Sequence, residues 1–127
     1  MTSRLNVGGS SPYEPRIGFS RAVRIGGRVL VSGTAPIWPD GSCDPDPYIQ
    51  AARCFEIVLE ALREAGAGAD DVVRTRTYLV HAGDWEAVGR AHGEVFAPVR
   101  PASTMVVVAG LLDPRWRVEI EAEAVVD

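Results

Sequence analysis

Between Arg117 and Val126 the chain alternates without a break. Val118, Ile120, Ala122 and Ala124 fall on one side, and Glu119, Glu121 and Glu123 on the other. Successive side chains of a β-strand point to opposite faces of the sheet, so a period of two marks a strand with one face buried. A helix would scatter the same residues around its circumference. The chain must therefore build a sheet with an apolar face, and that face needs a cover. Two covers are legible. Asp46 is placed to cap a first helix, Pro47 suits its first position, and Gly66 falls where a C-terminal cap is expected. Between them Ala52, Phe55, Leu59 and Leu62 recur at helical spacing. A second helix begins at Asp84, carries Trp85, Val88, His92 and Val95 on one side, and ends at Phe96 before Pro98 and Pro101.

The remaining strands follow from β-type runs between breakers. Ala22 to Ile25 and Arg28 to Val31 flank Gly26-Gly27, a pair that accepts the positive φ of a tight hairpin turn. Thr34 to Pro45, rich in Pro, Gly and Asp, reads as a loop, and Val72 to Val80 as a strand. Ser103 to Val108 is almost wholly apolar and bounded by prolines and Gly110, the pattern of a strand buried on both faces. The order is β-β-α-β-α-β-β. It predicts an α+β fold, one sheet with both helices on one face, in a single domain over residues 1–127 whose first 15 residues are poorly ordered. The other sheet face then presents apolar and small residues from several strands. Such a patch marks an assembly surface, unless a loop folds over it.

Composition narrows the function. The chain has 127 residues, 46% hydrophobic and 24% charged, which suits a globular domain rather than a disordered one. A net charge of -4 disfavours nucleic acid as a partner. All 13 basic residues are arginine, a forked and permanently charged carboxylate binder. Cys43 and Cys54 form no CxxC and read as reduced thiols. No stretch reaches the roughly 18 apolar residues of a membrane span, and the first residues lack a secretory apolar core. The expectation is a cytoplasmic protein with no membrane partner. His81 and His92 stand without a carboxylate at ligand spacing, so no metal site is expected.

Several segments together resemble the RidA/YjgF family, some of whose members carry the label L-PSP endoribonuclease. They are SGT at 32–34, Gln50 at the start of the first helix, AGAGADDVVRTRTYL at 65–79, FAPVRPAS at 96–103 and VEIEAEAVV at 118–126. The resemblance runs from about Arg21 onwards with natural spacing. It implies a chorismate-mutase-like fold, a homotrimer with a barrel-like centre, and clefts between subunits that bind a small polar metabolite. It also implies hydrolysis of reactive enamines or imines without metal or cofactor. By the same resemblance Glu119 matches a catalytic acid that holds water, and the backbone at Ser32 and Gly33 matches the pocket wall. Phe19 stands for a tyrosine and Gly89 for an asparagine. Ser103 follows Pro101-Ala102 where the deaminating members have a carboxylate-clamping arginine, and Met105 lies beside it on the same strand.

A serine hydroxyl has one donor and no charge, against the five donors and full charge of a guanidinium. Losing a bidentate, charge-assisted contact costs on the order of 2–5 kcal/mol in a desolvated site. Either the ligand is not a 2-imino carboxylate, or Arg21 or Arg76 has taken over the clamp. For both arginines the alternative is an ordinary ion pair. His92 reads either as a packing histidine or as a pocket acid or base. Gly89 reads either as a close helix–sheet contact or as added pocket room. Glu121 and Glu123 read as a solvated edge. The candidate functions are an enamine or imine hydrolase, a non-catalytic ligand-binding or sensor protein using the same cleft, and, against the charge, a ribonuclease. If the sheet face is closed by two further copies of the chain, the purified protein sediments at three times its 13.6 kDa mass. A stable species at the single-chain mass would refute the assembly.

Overall fold

The computed structural model describes residues 3–127. Its framework is a six-stranded mixed sheet in the order β1-β2-β3-β6-β4-β5. The strands are β1 (Arg4–Val7), β2 (Ala22–Ile25), β3 (Arg28–Thr34), β4 (Val72–Leu79), β5 (Ala102–Val107) and β6 (Val118–Val125). Helices α1 (Pro47–Glu64) and α2 (Trp85–Phe96) pack on the sheet. Strand β6 runs antiparallel to both β3 and β4, so the alternation read in the sequence occupies the middle of the sheet. Val118, Ile120, Ala122 and Ala124 are buried with Phe55, Val58, Leu62, Val88 and Phe96 of the helices. Each large apolar side chain so buried stabilises the fold by about 1.5–3 kcal/mol. No helix among the described residues is long and apolar enough to cross a membrane.

The helix ends follow the predicted chemistry at α1. The Asp46 carboxylate accepts from the Tyr48 and Ile49 amides at 2.8 and 3.1 Å, Pro47 opens the helix, and Gly66 takes φ +82° just beyond it. The buried stripe centres on Ala51, Cys54, Phe55, Val58 and Leu62, while Leu59 is only partly buried and packs against the core. At α2, Asp84 stands at the N-cap position but makes no capping bond, because its carboxylate is engaged by Arg117. Trp85 is exposed rather than part of the apolar side.

Three expectations are corrected. The segment 1–15 is not all loose: Arg4–Val7 forms β1, pairing antiparallel with β2, and Glu14–Gly18 forms a short π-helical turn. Met1 and Thr2 lie outside the described residues. The element order therefore gains a strand and reads β-β-β-α-β-α-β-β. RLNV is too short and too polar to announce itself, and its place is set by the free edge of β2. The hairpin strand Arg28 to Val31 continues to Thr34, with a register shift between Val31 and Thr34 that bulges the chain at Ser32-Gly33. Finally, β5 is not buried on both faces. It lies parallel to β4 at the edge of the sheet, with Val106 and Val107 exposed. A continuous apolar run gives no sign of which flank will lack a neighbour.

One side chain fastens the helical layer to the end of the central strand. Gln50 is 0% exposed. Its amide nitrogen donates to the Asp44 and Arg115 carbonyls at 2.7 and 3.0 Å, and its oxygen accepts the Arg117 amide at 2.8 Å. The Arg117 guanidinium grips Asp84 through two 2.9 Å bonds. Both loops that flank β6 and α2 are thus tied to the first turn of α1. Replacing Gln50 by leucine strands three backbone groups and costs about 2–4 kcal/mol of stability, measurable by urea denaturation.

Candidate functional site

The candidate residues gather in two groups and one outlier. The first group lies where β2, β3 and β6 meet. Arg21, 8% exposed, leads into β2, and its Nη2 donates to the Gly33 carbonyl at 2.5 Å. Its Nε is buried without a partner. Glu14 sits close by, its carboxylate accepting the Gly9 amide at 3.0 and 3.1 Å. Gly33 lies in the bulge against the Glu119 side chain, where a Cβ would collide with the carboxylate. The Ser32 hydroxyl donates to the Ser20 carbonyl at 2.7 Å, and the half-buried Phe19 closes the π-turn with its amide on Glu14 O. Burial raises the Glu119 pKa above the usual value of 4.5, with Arg21 opposing the rise and Glu121 adding to it. A carboxylate of this kind sits closer to neutrality and is better matched to proton transfer.

The second group lies on the helix-covered side, between α2 and the β4–β5 edge. Thr75 of β4 stands opposite Ser103 of β5, and its hydroxyl donates to Ser103 Oγ at 2.9 Å. The same Thr75 oxygen is 2.8 Å from His92 Nε2. His92 is wedged against the rings of Phe55 and Phe96, and burial lowers its pKa. Met105 packs partly on the core beneath Gly89, whose added Cβ would meet only Met105 Cε at 3.8 Å. That is an ordinary contact, so close packing does not require a glycine there. Thr75 is the member that sequence reasoning missed. Its signal was present: Thr75 and Thr77 put hydroxyls on the face of β4 that should be apolar, and both are buried.

Arg76 is the outlier. It lies on the face of the sheet away from the helices, 3.8 Å from Glu121 and from Glu123. Tyr78 on the same face donates to Glu121. Arg76, Glu121 and Glu123 border a depression of about 350 Å³ with Val23, Leu30 and Ser32. The expected solvated edge is therefore a paired one, with an arginine between two glutamates. Within one chain the two groups do not share a cavity. Strand β4 separates β6 from β5, and Glu119 alternates with the buried Val118 and Ile120 while Ser103 faces the helices. Cys54 is buried, and burial pushes its thiol pKa up, away from nucleophile chemistry. No cluster of three His, Cys, Asp or Glu suited to a metal occurs among the described residues.

A mixed sheet under two helices, with a half-buried acid on its central strand and a hydroxyl–imidazole cluster between α2 and the β4–β5 edge, defines a chorismate-mutase-like α+β chain. Residues 9–126 match the family described as Endoribonuclease L-PSP. An uncharacterised protein of Streptomyces coelicolor is 45% identical over 119 residues, 93% of this chain and 89% of that one. A RutC family protein of Pyrococcus abyssi is 33% identical over 109 residues, 84% of each. Among solved structures, a Mycobacterium tuberculosis member of the YjgF/YER057c/UK114 family superposes with TM-score 0.90 at 40% identity, covering 98% of this chain and 100% of that one. The Escherichia coli protein TdcF, solved with bound serine, gives TM-score 0.82 at 25% identity over 96% and 94% of the two chains. The chain belongs to the RidA/YjgF family. Because Gly89 costs helix stability without a tight contact to justify it, Gly89→Ala raises stability by about 1 kcal/mol. Thermal unfolding measures it, and a fall in stability would show that the space is already taken.

Proposed function

We propose that the chain works as a homotrimer whose inter-subunit pocket hydrolyses a reactive enamine, an imine or a related small metabolite. One observation carries this reading: Glu119 on β6 and Ser103 on β5 project from opposite faces of the sheet, with β4 between them. A second copy of the chain is the simplest way to bring a Glu119 against a Ser103. The free edge of β5, with Val106 and Val107 exposed, is the natural place for that copy to dock. The serine held by TdcF shows that a relative accepts a small polar metabolite, which supports the ligand class. The -4 net charge and the carboxylates beside Arg76 argue against a polyanion such as RNA.

In the proposed reaction an enamine first takes a proton from solvent at carbon and becomes an iminium ion. Water then adds to the C=N carbon and gives up a proton to Glu119, forming a neutral carbinolamine. Its nitrogen takes that proton back from Glu119, the C–N bond breaks and ammonia leaves, and the hydroxyl returns a proton to solvent as the carbonyl forms. The Gly33 wall keeps the Glu119 carboxyl in place, and burial keeps its proton affinity high enough to return what it takes. A non-catalytic binding role uses the same pocket, and is favoured by one observation: both candidate clamps, Arg21 and Arg76, are occupied within the chain.

Turnover separates the two. In a coupled assay run on 2-aminoacrylate and on its neutral amide, Glu119→Gln lowers the faster of the two rates by about a hundredfold or more. The wild-type rate falls on the acid side as pH drops through a value above 4.5, because the base form of Glu119 is lost there. A wild-type rate no higher than that of Glu119→Gln rules out the hydrolase and leaves the binding role.

A further inference from the structure

The hydroxyl–imidazole cluster on the β5 edge carries more than a place in the pocket. His92 Nε2, Thr75 Oγ1 and Ser103 Oγ form a continuous chain, with links of 2.8 and 2.9 Å. Thr75, the middle link, is 0% exposed and His92 is half-buried, whereas Ser103 is exposed, so the chain has one sheltered end and one open end. A threonine hydroxyl has a single proton to give. When His92 carries its proton on Nε2, each donor points outward and Ser103 offers O–H to a ligand acceptor. In the other neutral tautomer each donor points inward, and Ser103 accepts an N–H from the ligand. Both directions are available without any net charge. Burial lowers the His92 pKa and keeps the imidazole neutral near pH 7.

Among the described residues of one chain, no cation reaches this cluster. None of the hydrogen bonds or ion pairs of the described residues joins an arginine to Thr75, His92 or Ser103. Arg90 on α2 stacks over the Tyr48 ring at 4.2 Å, and Arg74 and Arg76 leave β4 on its other face. Arg21, which accompanies Glu119 when a second copy is brought against Ser103, has its Nη2 committed to Gly33 O and stands between the carboxylates of Glu14 and Glu119. Thr77, one pleat along from Thr75 and opposite Met105, is buried with its hydroxyl oxygen unpartnered. It adds a further neutral polar group to this side of β4. A carboxylate brought against such a surface would lose water and gain no opposite charge, whereas a neutral group with both a donor and an acceptor matches it.

From this geometry we propose that Ser103 is the outer end of a His92–Thr75–Ser103 hydrogen-bond relay that selects an uncharged ligand, of the primary amide or imine kind, over a carboxylate. The inference rests on the pocket reading above and names its substrate class. Ser103 touches the ligand, while Thr75 and His92 position it.

Calorimetric titration of the assembled full-length protein with pyruvamide and with pyruvate tests the proposal. The wild type binds pyruvamide about tenfold or more tighter than pyruvate. Ser103→Arg, which puts a guanidinium at the open end, reverses that order. Thr75→Val cuts the relay and collapses the amide-to-carboxylate ratio towards one, which a purely structural threonine would not do, since a loosened site weakens both probes alike. A wild type that prefers pyruvate, binds neither probe, or keeps its ratio in Thr75→Val overturns the inference. If Ser103→Arg binds pyruvate while the wild type ignores pyruvamide, the pocket stands and only the relay falls. If neither protein binds either probe, the pocket reading falls too.

Discussion

A single buried amide sets the geometry on which the site depends. Gln50 spends its whole hydrogen-bonding capacity on backbone groups of the segments before α1 and before β6. That fixes the entry of the central strand relative to the first turn of the helix, two residues ahead of Glu119. A hydrophobic contact would hold the same layers together but would let them slide, because burial of apolar area has no preferred direction. Three directed bonds from a side chain with no exposure do not slide. The position of the acid is thus inherited from the start of a helix far away in sequence.

Charge is managed by pairing on both faces. The three glutamates of β6 would repel one another if left alone. Arg76 stands between Glu121 and Glu123, and Tyr78 hydrogen-bonds Glu121, so two of the three are answered on the open face. Glu119 is answered only in part, by Arg21, and its burial, which that charge does not cancel, raises its proton affinity. The same pairing engages both arginines. Each is already the counter-charge of a carboxylate within its own chain, and its removal to serve a ligand would leave that carboxylate exposed or unpaired.

Much of this was legible in the sequence because it rested on local periodicity and punctuation. The alternation of 118–125, the Asp46-Pro47 start, and the Gly-Gly hairpin each have a short-range physical cause, and each holds in the structure. The failures share a different cause. Strand β1 forms because an edge happens to be free, β5 is exposed because no strand lies beyond it, and Asp84 turns to Arg117 rather than capping α2. All three depend on partners far along the chain. The site divides in the same way: Glu119, Ser103 and His92 were visible as residue types, but the hydroxyl of Thr75 that joins two of them became visible only when β4 and β5 were set side by side.

The strand order has a consequence for how such a molecule comes into being. Strands β1, β2 and β3 form one ribbon and β4 and β5 another, and the only strand that touches both ribbons is β6, which follows every other element along the polypeptide. During synthesis both halves can be completed while the gap between them stays open. The sheet is closed by inserting its middle piece last. Glu119 arrives on that piece, so it takes its place only as the two halves are joined.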